Sequence, residues 1–330
     1  MDKIQQGTGK GKERKQGLTE TLFTTGGYSH MIKMAVIGVG VMGKNHLRVL
    51  GTMDRVEVLA VCDPNIDEIP VVKLYHDIDA MLSEEPIDAA ILAAPTFLHK
   101  EIGLKCMEKG VDLLIEKPIA SNSQDGRELR ACANRNGTKL VVGHIERHNP
   151  VVIALKDEIV DKEIYSVNIT RIGPIPPRIS DVGVLTDLSV HDIDLIRFIT
   201  GREIAETKIF KSQKIQHHHE DNAIIAVRLE NDVVGNITTN WLTPFKKRVI
   251  EVSTSEGYYE ADLINQSMNE YSSSKYIDIN HSYLVRNCFV RKGEPLFFEL
   301  TAFLDYLSGE PIGHLANADD SIRTLELLES

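Results

Sequence analysis

Residues 32–43 read Ile-Lys-Met-Ala-Val-Ile-Gly-Val-Gly-Val-Met-Gly, an apolar run that ends in Gly38, Gly40 and Gly43 and passes into a helix-forming stretch. A second apolar run, Val56–Cys62, ends at Asp63, about twenty residues beyond the last glycine. Strand, glycine turn, helix, strand and acid in that order are the fingerprint of a dinucleotide-binding βαβ unit. Gly38 permits the tight turn, Gly40 lets the backbone approach a pyrophosphate, and Gly43 lets the helix pack closely on the strand. Gly38, Gly40, Val41, Met42 and Gly43 are therefore candidate pyrophosphate contacts, because the helix N-terminus they open offers free N–H groups and a positive partial charge. Asp63 refines the ligand. A carboxylate there accepts both adenosine ribose hydroxyls and repels a 2′-phosphate, and no Arg or Lys follows in Pro64-Asn65-Ile66. NAD is expected rather than NADP. The alternative for Asp63 is that it only caps the next turn.

The chain of 330 residues is long enough for two domains. Hydrophobic residues make up 42% and charged ones 26%, a soluble globular composition, and the net charge of −11 argues against a general nucleic-acid or anionic-membrane surface. No apolar run approaches the ~18 residues of a membrane span. Cys62, Cys106, Cys132 and Cys288 show no CxxC spacing. They suit reduced thiols of a cytoplasmic protein better than a disulfide framework or a zinc site. His217-His-His219 reads as a solvated inter-strand turn rather than a metal site, and no metal is expected. Residues 1–30 are rich in Gly, Lys, Gln and Thr and lack the apolar core of a signal peptide. Ser29-His30-Met31 resembles a cloning junction or an over-extended start, so 1–30 is expected to be a disordered leader, with Met31 the natural first residue.

Strand and helix patterns alternate from Ile32 to Gly143: strands at Ile32–Ile37, Val56–Cys62, Val71–Tyr75, Ala89–Ala93, Asp112–Ile115 and Lys139–Val142, with helices between. This predicts a Rossmann-type, doubly wound parallel sheet over 31–150. Pro70 and the short spacing after Asp63 leave no room for a crossover helix there. Beyond Pro150 the pattern changes to an α+β domain, 151–330, with a mostly antiparallel sheet. Its strands are Tyr165–Ile172, Ile204–Lys211, Ala223–Leu229, Val233–Trp241 and Arg248–Thr254, with a hairpin signal at Asn231-Asp232. Leu185–Thr200, Leu296–Leu307 and Ala318–Leu328 read as helices, the last two closing this domain. Trp241, the only tryptophan, is assigned to the sheet core or a subunit interface.

Glu116-Lys117-Pro118 follows the strand ending at Ile115, and ligands of open α/β sheets lie beyond the carboxyl ends of strands. Lys117 there can hydrogen-bond a substrate hydroxyl or relay its proton; a structural ion pair is the alternative. Asp187 and His191 are spaced i,i+4, on one helix face, where a carboxylate can orient an imidazole and support its protonated form. Asp194 is a competing partner at i,i+3, and a buried histidine capped by an acid is the alternative reading. Arg171 and Arg178 flank a loop stiffened by Pro174, Pro176 and Pro177, where guanidinium forks can bind a diphosphate; exposed loop arginines are the alternative.

Gly38–Gly43, Pro95-Thr-Phe-Leu-His99, Glu116-Lys117-Pro118 and Asp187-x-x-x-His191, in that order, resemble the glucose–fructose oxidoreductase, inositol dehydrogenase and MocA-type family. The resemblance runs from about Ile32 to the C-terminus. It implies that Lys117 touches the reacting hydroxyl, that His191 is the acid–base with Asp187 assisting, and that Pro95, Thr96, His99, Glu116 and Lys117 lie near the nicotinamide and its ribose. Gly143-His-Ile-Glu-Arg147-His-Asn-Pro150, Arg171–Arg178 and Asp187–Asp194 look more narrowly like the UDP-N-acetylglucosamine 3-dehydrogenases within that family. His148 replaces a usual Phe and Ser189 a usual Gly or Ala. The narrower resemblance implies a UDP-sugar substrate bound by Arg171, Arg178, Lys117 and His191, with oxidation of the sugar 3-hydroxyl before transamination by an aminotransferase. A homodimer or homotetramer is expected. The rival readings are a dehydrogenase of a free sugar or inositol and a non-catalytic NAD-binding regulator.

Overall fold

The structure is a computed structural model that describes residues 31–70, 72–176, 182–216, 218–272 and 283–329. The leader 1–30, Val71, Arg178 and His217 lie outside the described residues. In chain order the first half runs β1 (Ile32–Ile37), α1 (Val41–Leu50), β2 (Val56–Cys62), β3 (Lys73–Tyr75), α2 (Ile78–Glu84), β4 (Ala89–Leu92), α3 (His99–Glu108), β5 (Asp112–Glu116), α4 (Ser123–Asn136) and β6 (Leu140–Gly143). The second half runs α5 (Pro150–Ile159), β7 (Ile164–Pro174), α6 (Val190–Thr200), β8 (Ile204–Ser212), β9 (Asn222–Leu229), β10 (Val234–Asn240), β11 (Leu242–Thr254), β12 (Tyr258–Asp262), β13 (Ser267–Ser272), β14 (Leu284–Cys288), α7 (Pro295–Leu307), β15 (Ala316–Asn317) and α8 (Ala318–Glu329).

The first sheet has the order β15-β6-β5-β4-β1-β2-β3 and is parallel except for β15. Its central strands are apolar on both faces because helices cover both; Ala89–Leu92 is wholly buried. The link from β2 to β3 contains no helix, as Pro70 requires. The second sheet, β14-β13-β12-β11-β7-β10-β9-β8, is antiparallel apart from the parallel pair β7–β10. Strand β9 shows why one face is open: Ala223, Ile225, Val227 and Leu229 point into the core and their neighbours point out. The β9–β10 hairpin turns through Asn231 and Asp232 with φ of 69° and 61°, the left-handed pair that a tight hairpin demands. Trp241 joins the second core with its Nε1 unpartnered. The four cysteines are free and buried, and no helix among the described residues is long and apolar enough to cross a membrane.

Two features depart from the sequence pattern. Strands β13 and β14 lie beyond the strand run read from the sequence, which ends near Ala261; Ser-Met-Asn-Glu-Tyr-Ser carries little apolar alternation. More consequentially, the stretch from α7 to α8 packs mainly on the first sheet rather than closing the second domain. Leu296, Leu300, Phe303 and Leu304 share a core with Met34, Val36 and Leu114. Strand β15 pairs with β6, and Ile322 and Leu325 of α8 join the core on the sheet's other face. Sequence adjacency suggested the second domain, but the apolar faces of these helices match the uncovered edge and flank of the first sheet.

Glu299 is the anomaly within that packing. It is 1% exposed and both carboxylate oxygens are unpartnered. Burial, reinforced by the nearby Glu116 charge, pushes its pKa well above the ordinary 4.5. The folded chain therefore keeps a proton that the unfolded chain releases above that value, so stability falls as pH rises from there toward the folded pKa. Glu299→Gln is expected to melt higher than the wild type at about pH 8 and to converge with it toward about pH 4.5. A melting-temperature series across that range checks this; a pH-independent offset would mean that Glu299 is ionised in the fold.

Candidate active site

The turn from β1 into α1 is shaped as a cradle. Gly38 has φ +85°, and a Cβ on it would stand 2.5 Å from the Ala94 nitrogen. A Cβ on Gly43 would stand 1.9 Å from the Gly38 oxygen. A Cβ on Gly40, in contrast, meets nothing within 4 Å. The first two glycines are thus required by the protein's own packing, while the third opens onto free space in front of the helix. Helix α1 begins there without a side-chain cap and without an acid in its first turn, which leaves its positive end available to an anion. Asp63 receives the Val39 N–H on one carboxylate oxygen and the Asn65 N–H on the other, both at 2.8 Å. It therefore braces the glycine turn and caps its own loop. Each oxygen retains a second lone pair, so ribose hydroxyls remain compatible with it. These residues fit a dinucleotide.

Beyond the carboxyl ends of β4 and β5 lies a cavity of about 490 Å³, walled by Met42, Pro95, Thr96, Lys117, Asp187 and His191 among others. Lys117 leaves the sheet at the end of β5, and its Nζ donates to the Asp187 backbone oxygen at 2.8 Å and to Asp187 Oδ1 at 3.2 Å. Asp187 sits in a π-helical turn, Leu185–Ser189, that runs into α6. Such single-turn insertions recur at functional sites because they re-aim side chains. Here Asp187 engages Lys117, and no hydrogen bond joins it to His191 among the described residues. The expected carboxylate–imidazole pair is replaced by a carboxylate–ammonium pair. His191 Nδ1 is buried and unpartnered. Burial, together with the charges of Lys117, Arg171 and Arg248, holds its pKa well below 6.5, so the ring is neutral at pH 7 rather than stabilised in its protonated form. Asp194 does not compete for it: both its oxygens are taken by Arg147, at 2.6 and 2.8 Å.

Glu116 also lines the cavity, but its Oε1 is 2.7 Å from Nε2 of the fully buried His46 of α1. Burial works to raise the Glu116 pKa, yet the His46 hydrogen bond and the Lys117 charge hold it below the ordinary carboxylate value. The His99 ring lies between the Ala94 and Pro118 carbonyl oxygens, at 2.9 and 3.0 Å, and so ties the loop after β4 to the loop after β5. Burial lowers the His99 pKa, against the opposing pull of the two carbonyl contacts.

Arg171 departs from its expected place. It lies in strand β7, not on a loop, and is 2% exposed. Its Nε donates to Asp192 at 2.7 Å and its Nη1 to Glu146 at 2.9 Å, which leaves only Nη2 unpartnered at the cavity wall. Buried carboxylates on two sides keep this guanidinium charged against the cost of desolvation. The residues missed by sequence reasoning are His46, Glu146, Asp192 and Arg248. Arg248 stands directly opposite Arg171 across the β7–β11 pair and shares Glu146 with it at 3.3 Å. The strand pairing that joins them carries no local signature.

Residues 32–144 match the family model described as "Oxidoreductase family, NAD-binding Rossmann fold", and residues 164–260 match the GFO/IDH/MocA C-terminal domain. The chain belongs to the GFO/IDH/MocA family. It is an NAD-binding oxidoreductase of that family. Among its relatives, the UDP-N-acetylglucosamine 3-dehydrogenase of Acidithiobacillus ferrooxidans is 27% identical over 73% of this chain and 77% of its own. The solved structure of that enzyme superposes with a TM-score of 0.82 at 23% identity, covering 91% of this chain and 96% of its own. Inositol 2-dehydrogenase 2 of Saccharopolyspora erythraea is 26% identical over 62% of this chain and 66% of its own. The WlbA dehydrogenase of Bordetella pertussis, solved with NADH and UDP-GlcNAcA, superposes with a TM-score of 0.78 at 20% identity over 91% of this chain and 95% of its own.

In this GFO/IDH/MocA chain the glycines separate folding from binding. Gly40→Ala adds a methyl group to open space, so its melting temperature should stay near the wild type, while NAD affinity falls by about tenfold or more, the scale of ~1.4 kcal/mol. Gly43→Ala should lower the melting temperature itself. Thermal melts with and without NAD separate the two effects; equal NAD affinity in Gly40→Ala would remove the pyrophosphate from this turn.

Proposed function

We propose that this protein oxidises the 3-hydroxyl of UDP-N-acetylglucosamine to the UDP-3-keto sugar, with NAD as hydride acceptor. The observation that carries the reading is the single cavity in which Lys117, Asp187 and His191 face the glycine turn's Met42 and the loop Pro95-Thr96. The names of the Acidithiobacillus and Bordetella relatives support a nucleotide-sugar substrate, and Arg248 at the cavity wall, which has only a share of Glu146, agrees with an anionic one. NAD, when bound, takes up the hydride at its nicotinamide ring. The protein's part is to bind, orient and remove a proton. Two of the three Lys117 N–H donors are committed to Asp187, and the third, without a partner among the described residues, is left for the substrate oxygen, where it steadies the developing negative charge. His191, neutral at pH 7, accepts the hydroxyl proton. Asp187 acts through Lys117, fixing where the ammonium points. An inositol or free-sugar dehydrogenase is the second reading, favoured by the extent to which Glu146 and Asp192 already occupy Arg171. The intact Lys117, Asp187 and His191 set speak against a purely regulatory NAD-binding protein.

The open face of the second sheet exposes Tyr165, Phe210, Ile224 and Val234. A second copy of the chain is its proposed occupant, giving a homodimer or a homotetramer.

The test is an NAD assay with UDP-N-acetylglucosamine and a carbonyl trap, because the equilibrium of such an oxidation lies toward the alcohol. Trapped keto product is expected. Turnover on inositol or a hexose with none on the nucleotide sugar would transfer the function to the second reading. His191→Ala and Lys117→Ala should each lower kcat by ~10²–10⁴-fold with NAD affinity little changed. The acid limb of the wild-type kcat/KM profile should lie below the ordinary histidine value of 6.5, because His191 loses activity only when it gains a proton. An acid limb above that value would mean another base.

A further inference from the structure

A second cavity of about 480 Å³ adjoins the catalytic one and shares Ile145 and Arg248 with it. Its other walls include Lys246 from β11, Leu263 and Ile264 from the turn after β12, and Pro295 at the start of α7. The way β11 reaches this cavity is irregular. Leu242 pairs with Pro174 and Lys247 with Ile172, so residues 243–246 stand opposite Gly173 alone. This is a bulge, a device that bends a strand and re-aims its side chains. The Lys246 stem crosses the bare Gly173, where a Cβ would come within 3.3 Å of its Cγ.

The charges on this wall are unequally balanced. Arg171 is met by Asp192 at 2.7 Å and Glu146 at 2.9 Å. Arg248 has only a share of Glu146, at 3.3 Å, and its side chain is 38% exposed. Lys246 is exposed and has no carboxylate partner among the described residues. The residues able to take a ligand anion are therefore Arg248, at the junction of the two cavities, and Lys246, on the wall of the second.

We propose that Lys246 and Arg248 form the diphosphate subsite for the substrate's nucleotide tail, an assignment that rests on the nucleotide-sugar reading. The sugar occupies the cavity at Lys117 and His191. The diphosphate lies against the Arg248 fork and the Lys246 ammonium, and the nucleoside lies in the second cavity against Leu263, Ile264 and Pro295. A guanidinium with a free edge suits two phosphate oxygens, and an ammonium adds a mobile point charge.

Calorimetric titration of the NAD-loaded protein with UDP and with inorganic pyrophosphate tests this. Lys246 makes no ion pair that the fold needs, so Lys246→Ala is the primary variant. Arg248→Lys keeps the charge beside Glu146 but removes the fork. Lys247→Ala controls for the general positive field, since Lys247 does not line the cavity. Lys246→Ala and Arg248→Lys should each weaken UDP and pyrophosphate about tenfold, the scale of one charged hydrogen bond, and should raise KM for the UDP-sugar more than they lower kcat. Lys247→Ala should bind as the wild type does. UDP binding that is equal in wild type and both variants would overturn the subsite and leave the nucleotide-sugar reading standing. Variant-sensitive pyrophosphate binding, with turnover only on non-nucleotide sugars, would keep an anion subsite and overturn the nucleotide. Absence of both UDP and pyrophosphate binding to the wild type would overturn both.

Discussion

Lys117 donates to both the backbone oxygen and the carboxylate of Asp187, and that contact joins the end of a first-sheet strand to the helical turn covering the second sheet. The cavity beyond β4 and β5 is framed by it. The cofactor turn, the β4 loop and Lys117 belong to one sheet's carboxyl edge; Asp187, His191 and Arg171 belong to the other half. The side chains are only 16% and 22% exposed, so the pair is partly desolvated and sensitive to the loss of either partner. Around it, Arg147 binds Asp194 of α6 and Asp320 in the first turn of α8 across the same seam, which anchors α6 against α8. The seam is thus closed by ion pairs, whose fixed geometry holds Lys117 and Asp187 in position.

The electrostatic consequence falls on His191. A carboxylate at its side would raise its proton affinity. The structure instead surrounds it with Lys117, Arg171 and Arg248, while the carboxylates Glu146, Asp187, Asp192 and Asp194 are each bound to a cation. The same cations that keep the imidazole neutral include Arg248, which belongs to the proposed anion subsite. Base strength and anion binding are therefore coupled here: an anion bound at the wall would offset the cationic field and restore proton affinity to the ring.

The cofactor half was legible because its signals are local. Gly38 and Gly40 read correctly as the turn between β1 and α1, Gly43 as the close contact of that helix with it, and Asn231-Asp232 as a hairpin, because these signals lie in the residues themselves. Asp63 was half legible. Its position was evident, but its hold on Val39 and Asn65 needed coordinates. The misplacement of Arg171 has a different origin. Prolines at 174, 176 and 177 marked a loop, but its first turn belongs to an eleven-residue strand, and the choice of Glu146 and Asp192 as partners is set by strand pairing and helix packing. The i,i+4 spacing of Asp187 and His191 predicted a contact that the π turn undoes, and nothing in Leu185–Ser189 marks that turn in advance.

The return of α7, β15 and α8 to the first sheet has a consequence for how the chain is made. Synthesis delivers β1 to β6 first, yet Met34, Val36 and Leu114 find their apolar cover in α7, and β6 its neighbour in β15, only at residues 295–329. The half that leaves the ribosome first is the half completed last. During that interval its sheet edge at β6 is unpaired and one core is open, the condition in which nascent chains invite chaperones or mispairing. The contacts that finish it span most of the chain, a separation that slows folding.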